Sequence, residues 1–131
     1  MSSSVQEAIQ VLHVDDEPDF QDLTERFLER EDEQFSVVVA TDATEGLEII
    51  DADKPDCVIS DFDMPRVDGL EFLRMIRAQY PKLPVIFFTS QDRETIIGSA
   101  IAVGPTDYVE KEATAEQYEL LAEQIRSAIQ R

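Results

Sequence analysis

Five short apolar runs alternate with five amphipathic stretches along this chain, and that alternation constrains the fold more than any other feature. The runs Ile9–Val14, Phe35–Ala40, Cys57–Ser60, Leu83–Phe88 and the brief Tyr108–Val109 suit strands covered on both faces. Between them apolar side chains recur at helical spacing: Phe20, Leu23, Phe27 and Leu28, then Leu70, Leu73, Ile76 and Tyr80. Tyr118, Leu121, Ala122, Ile125 and Ile129 give the last helix its apolar face, and Ala43–Ile50 and Arg93–Ala102 read as shorter helices. All these stripes read as core. Pro18 suits a first helical turn, Thr41 or Asp42 can cap the second helix, and Thr114 with Gln117 resembles a capping box. Five βα units in one chain of 131 residues predict an α/β fold of the flavodoxin-like (βα)5 type. Its open parallel sheet would run in the order 2-1-3-4-5 with helices on both faces. One domain over residues 1–131 is expected, its core at about 9–129 and residues 1–6 a loose tail.

Apolar residues make up 43%, which places the chain among globular rather than disordered sequences. No apolar run approaches membrane-spanning length and no signal peptide is visible, so a cytoplasmic protein is expected. Cys57, the only cysteine, falls in a strand run and reads as a buried, inert thiol. The charge is unusual: 29 acids against 11 bases give −18, and only Lys54, Lys82 and Lys111 are lysines. Without Asp15, Asp16 and Asp61 the net charge is still −15, so the excess belongs to the whole surface. Such a surface repels itself in dilute buffer and is screened at molar salt, which points to a salt-rich cytoplasm, with an ordinary acidic protein as the alternative. With no basic patch to displace counterions, direct nucleic-acid binding is not expected.

The predicted strand order has a chemical consequence. Strands 1 and 3 become neighbours about 4.8 Å apart, and strands 4 and 5 follow. Their C-terminal ends then present Asp15-Asp16, Asp61, Thr89 and Lys111 side by side, at the crevice where open α/β sheets bind ligands. Three carboxylates in one crevice repel by about 4 kcal/mol per pair at 4 Å and an effective dielectric of 20. Lys111 offsets part of this and a divalent cation more. Oxygen ligands without His or Cys favour Mg²⁺. A carboxylate beside Mg²⁺ and a lysine can attack phosphorus, with Thr89 donating a hydrogen bond to a phosphoryl oxygen and Lys111 neutralising another. Acids that merely cap helices are the bland alternative for Asp15 or Asp61 taken singly. Thr89 alone reads equally as a turn residue, and Tyr108 as a half-buried strand aromatic. His13, inside the first strand, reads as a packed or hydrogen-bonded histidine rather than a phosphoryl carrier.

Four segments together resemble the receiver domain of two-component response regulators, in the superfamily of CheY-like proteins. They are Val14-Asp15-Asp16-Glu17, the loop from Asp61 through Asp63-Met64-Pro65 to Asp68-Gly69, Phe88-Thr89-Ser90, and Tyr108-Val109-Glu110-Lys111. The resemblance runs from about Ile9 to Ile129. It implies that Asp61 accepts a phosphoryl group from a phosphohistidine on a sensor histidine kinase. It further implies that Asp16 and Asp61 ligate Mg²⁺ with the backbone carbonyl of Asp63, Asp15 acting through water. Thr89, the Ser90 amide and Lys111 would hold the phosphoryl group, and Tyr108 would swing inward as Thr89 moves. The face of helix 4, strand 5 and helix 5 would then change shape for a downstream protein or output domain, or for a phosphorylation-dependent homodimer. No enzymatic turnover is implied beyond the chain's own phosphorylation and dephosphorylation. Asp63 and Gln91 occupy positions that tune phosphoryl lifetime in the family.

One position departs from the pattern. Lys111 is followed by Glu112 where the family usually has a proline with a cis peptide. A cis bond before a non-proline costs about 2.5–4 kcal/mol, so a trans loop with Lys111 placed differently is expected. Pro105 is expected to stiffen the approach to strand 5. Two other readings stand beside the phosphoacceptor. A pseudo-receiver would keep the fold as a binding module without phosphorylation, with the Lys111-Glu112 junction as its support. A phosphatase of the haloacid dehalogenase kind would use Asp61-Phe62-Asp63 as nucleophile and acid, although Met64-Pro65 departs from that motif and Asp15-Asp16 has no counterpart in it.

Overall fold

The computed structural model describes residues 8–100, 103 and 107–130. In chain order the elements are β1 (Ile9–Val14), α1 (Pro18–Glu31), β2 (Phe35–Ala40), α2 (Ala43–Asp53), β3 (Cys57–Ser60), α3 (Gly69–Gln79), β4 (Val85–Thr89), α4 (Arg93–Ala100), β5 (Asp107–Glu110) and α5 (Ala115–Gln130). The strands form one parallel sheet in the order β2-β1-β3-β4-β5, as the alternation predicts. The expected tail at residues 1–6 and Pro105 lie outside the described residues.

Both faces of the sheet are covered, and strand residues alternate between two cores. Leu12, Val14, Val58, Val85 and Phe87 pack with Ile50, Phe72, Leu73, Ile76 and Ile96 on the side of α2, α3 and α4. Val11, Val37, Cys57, Ile59, Ile86, Phe88 and Val109 pack with Leu28, Tyr118, Leu121, Ala122 and Ile125 on the side of α1 and α5. That is why the strand runs read as continuously apolar. Inside the second core the Tyr118 hydroxyl and the Thr24 hydroxyl lie 3.0 Å apart in a buried hydrogen bond, which satisfies two polar groups that would otherwise be costly there. None of the described helices is long and apolar enough to cross a membrane. Cys57 is buried and unpaired, and burial, then Asp107 and Asp56, push its thiol up to about 12, which keeps it protonated and inert.

Boundaries follow local chemistry. Pro18 opens α1, Asp42 caps α2 by accepting from the Glu45 amide, and Asp68 caps α3 by accepting from the Glu71 amide. β4 begins at Val85 rather than Leu83: Pro84 has no N–H for the ladder, and the Leu83 amide bonds back to Tyr80. It runs on to Thr89, whose carbonyl accepts the Lys111 amide. α2 extends three residues past Ile50, to Asp53, where Lys54 turns left-handed at φ 48°. Its last turn is exposed, so no apolar stripe marks it. α4 is described as far as Ala100, and β5 gains one residue at each end. The capping box at α5 is half formed. Thr114 Oγ1 accepts from the Gln117 amide, but the Gln117 side chain donates to the Glu110 carbonyl and so ties α5 to β5.

Candidate functional site

Register brings the acids together. Val14 pairs with Ser60, so Asp15 and Asp61 emerge level from neighbouring strands, and the Asp61 amide bonds to the Val14 carbonyl. Asp15, Asp16 and Asp61 each offer a carboxylate oxygen, all within 4.8 Å of one another; Asp15 and Asp61 are buried and Asp16 is exposed. Oxygen-only donors at this spacing fit a hard divalent cation.

The loop after β3 is fixed by packing. Met64 is buried, Phe62 packs edge-on against Phe87 at 5.3 Å, and the Asp63 amide donates to Asp61 Oδ1 at 3.2 Å. Arg66 sits at φ 71° in a tight turn closed by Val67 N to Pro65 O, a strained conformation for a residue with a Cβ. The Gly69 amide then bonds to the Phe62 carbonyl. A Cβ on Gly69 would stand 2.7 Å from the Asp61 carbonyl and 2.7 Å from Phe62 Cα, so only glycine lets α3 start this close to the loop.

Lys111 supplies the countercharge. Its Nζ lies 2.7 Å from Asp15 Oδ2, 2.9 Å from Asp61 Oδ2 and 2.6 Å from Glu17 Oε1, and 4.4 Å from the centre of the Phe20 ring. The Lys111 side chain is 3% exposed. Burial alone works against its charge, but Asp15, Glu17 and Asp61 outweigh that and raise the ammonium above its ordinary range. Asp15 mirrors it. Burial pushes that carboxyl up, while His13, Lys111 and the Glu17 amide outweigh burial and hold it below its ordinary value. His13 is fully buried, with Nε2 3.6 Å from Asp15 Oδ2 and neither ring nitrogen in a hydrogen bond among the described residues. It is therefore the packed histidine expected, lying beside Asp15.

The expectation that a trans loop would displace Lys111 is corrected here. No cis peptide occurs among the described residues, yet Lys111 reaches both buried aspartates: its amide is anchored to the Thr89 carbonyl and its ammonium sits over the Phe20 ring. Thr89 is fully buried at the end of β4, its hydroxyl accepting from the Gln91 amide at 3.3 Å, and Ser90 follows, exposed. Gln91 Nε2 donates to Asp63 Oδ2 at 2.7 Å, linking the two positions singled out for tuning. Tyr108 is half-buried, and its hydroxyl donates to the Gln91 carbonyl at 2.8 Å. Burial first, then Glu110 and Asp92, raises that phenol. Glu17 was missed as a site residue in the sequence. Its partner stands 94 residues away, and only its place beside Asp15-Asp16 hinted at it.

The chain is thus an open, doubly wound α/β domain of the flavodoxin-like class, with an acid cluster and a buried lysine at its switch point. Comparison with known proteins narrows this. The family model of the response regulator receiver domain matches residues 11–123. The response regulator MprA of Mycobacterium leprae is 37% identical over 97 residues, covering 74% of this chain and 41% of that protein. A response regulator receiver domain protein from Clostridium thermocellum superposes with a TM-score of 0.81 at 31% identity, covering 93% of this chain and 94% of the other. The chemotaxis response regulator CheY4 of Vibrio cholerae gives 0.80 at 26% identity, covering 92% and 99%. The chain belongs to the response regulator receiver domain family. It spans less than half the length of the curated MprA relatives it matches.

Proposed function

We propose that this chain is the phosphoacceptor of a two-component phosphorelay, with Asp61 as the accepting residue. The observation that carries this is the Lys111 ammonium shared between Asp15 and Asp61 at 2.7 and 2.9 Å. It sets a positive charge directly against the accepting carboxylate. In the transfer an Asp61 carboxylate oxygen attacks phosphorus, the P–N bond of a donor phosphohistidine breaks, and its electron pair leaves with the imidazole nitrogen. Lys111 faces the charge that develops, and Thr89 with the Ser90 amide would hold phosphoryl oxygens. Asp15, Asp16, Asp61 and the Asp63 carbonyl would hold Mg²⁺, which when bound neutralises phosphoryl charge. The donor would be a sensor histidine kinase. The position of Lys111 argues against the pseudo-receiver, whose support was the Lys111-Glu112 junction. One continuous sheet among the described residues supports reading the chain as a single receiver domain.

Output would run through Tyr108. Its hydroxyl is held by Gln91, two residues past Thr89, so movement of that segment releases or re-seats the ring at the surface between α4 and α5. That surface carries a cleft of about 460 Å³ lined by Arg93, Ile97, Tyr108, Glu110 and Leu120. Intact mass after incubation with acetyl phosphate and Mg²⁺ in molar KCl, beside Asp61→Asn, tests the reading. One phosphoryl adduct on the wild type alone, absent when Mg²⁺ is chelated, is expected. No adduct at any salt concentration would return the chain to the pseudo-receiver class.

A further inference from the structure

Lys111 is hemmed in by carboxylates. Of the three N–H groups of its ammonium, two donate to Glu17 Oε1 at 2.6 Å and Asp61 Oδ2 at 2.9 Å, and Asp15 Oδ2 stands 2.7 Å away as an ion pair. The Phe20 ring covers a further side. With three carboxylates within 2.9 Å of the ammonium, a phosphoryl oxygen arriving on Asp61 meets Lys111 most directly where one carboxylate lets go. The three differ in what release costs. Asp15 is fully buried, its Oδ1 already accepts the Glu17 amide at 2.9 Å, and without the ammonium it would be an unpaired charge in the core. Asp61 is the reacting group. Glu17 has a side chain 55% exposed, so its carboxylate passes to water at little cost. Its backbone need not move, being fixed by the bond to Asp15 Oδ1 and by the Gln21 amide on its carbonyl.

Resting on the phosphoacceptor reading above, we propose that Glu17 is the displaceable carboxylate of Lys111, a positioning residue that holds the ammonium at rest and yields its place to a phosphoryl oxygen. Glu17 then opposes phosphorylation in two ways. It occupies the donor the phosphoryl group needs, and it adds a negative charge beside the site. Both effects vanish with its charge.

Beryllofluoride, a phosphoryl analogue, titrated with Mg²⁺ into the full chain and followed by fluorine NMR, tests this on the wild type, Glu17→Gln and Glu17→Ser. The serine is an ordinary helix cap, so it guards against a fold effect peculiar to glutamine. Both variants are expected to bind about three- to fivefold tighter at low salt, the upper part of the range an exposed ion pair spans. The gain should shrink in molar KCl, where the Glu17 charge is screened. Without metal or analogue, the Lys111 ammonium resonance should shift in both variants, which a purely capping role for Glu17 would not cause. Affinities equal to wild type within about twofold, or weaker ones, overturn the proposal while leaving the phosphoacceptor intact. A wild type that binds no beryllofluoride overturns both.

Discussion

Replacing Lys111 by methionine removes the charge and keeps an unbranched side chain. It leaves Asp15 fully buried and Asp61 8% exposed in its side chain, without the ammonium that both share. Breaking a buried ion pair from one side costs about 3–5 kcal/mol, and the half-exposed Glu17 pair adds less than about 1. At about 3–5 °C per kcal/mol for a chain of this size, the melting temperature in chelator at pH 7.5 should fall by about 10–20 °C. The pH dependence carries the diagnostic sign. In the wild type the Asp15 carboxyl is held below its ordinary value, so its contribution is present above the ordinary carboxylate range and lost as pH falls through the folded value. In Lys111→Met the lowering influence of the ammonium is gone, and burial pushes the carboxyl up against only His13 and the Glu17 amide. The penalty then appears as pH rises through the carboxylate range and is relieved by acid. The gap between the two proteins should therefore narrow from pH 7.5 to 5. It should narrow again above the ordinary lysine range, because the raised Lys111 loses its contribution as pH climbs through its folded value. Millimolar Mg²⁺ should restore part of the loss by giving the acids another cation. A variant that melts within a few degrees of wild type in chelator, or a gap indifferent to pH, would refute Lys111 as the charge that makes this cluster tolerable.

Gly69→Ala should destabilise by about 1–3 kcal/mol in a urea melt, because its Cβ meets backbone at 2.7 Å on two sides and Phe87 at 2.9 Å; an unchanged midpoint would show that the α3 start can shift freely. The −18 net charge predicts a higher melting temperature in 2 M than in 0.1 M KCl. Equal melting temperatures would remove the case for adaptation to a salt-rich cytoplasm.

Much of the fold was legible because burial and sequence agree. β1, β2 and β3 begin and end where the apolar runs do, and each of β1 and β3 is followed at once by an acid that the register delivers to one crevice. Ends set by hydrogen bonds were less visible. Pro84 reads as part of an apolar run, but its missing N–H delays the ladder by two residues, and the last turn of α2 is exposed and so leaves no stripe. What stayed hidden was pairing at long range. Nothing near Glu17 says that a lysine 94 residues on will reach it, and nothing near Thr24 announces the Tyr118 hydroxyl. The Lys111-Glu112 junction misled for a related reason: the side chain is placed by its anchored amide and by Phe20, not by the peptide that follows.

The Asp15–Lys111 pair spans most of the chain, and Lys111 follows β5, a strand at the sheet's edge that pairs only with β4. During synthesis the acids therefore leave the ribosome long before their counterion. A nascent chain that has made β1 to β4 carries these carboxylates without Lys111, so the crevice lacks its own buried countercharge until the fifth strand arrives. On the phosphoacceptor reading proposed above, readiness to take a phosphoryl group would be acquired only once the fifth strand has joined the sheet.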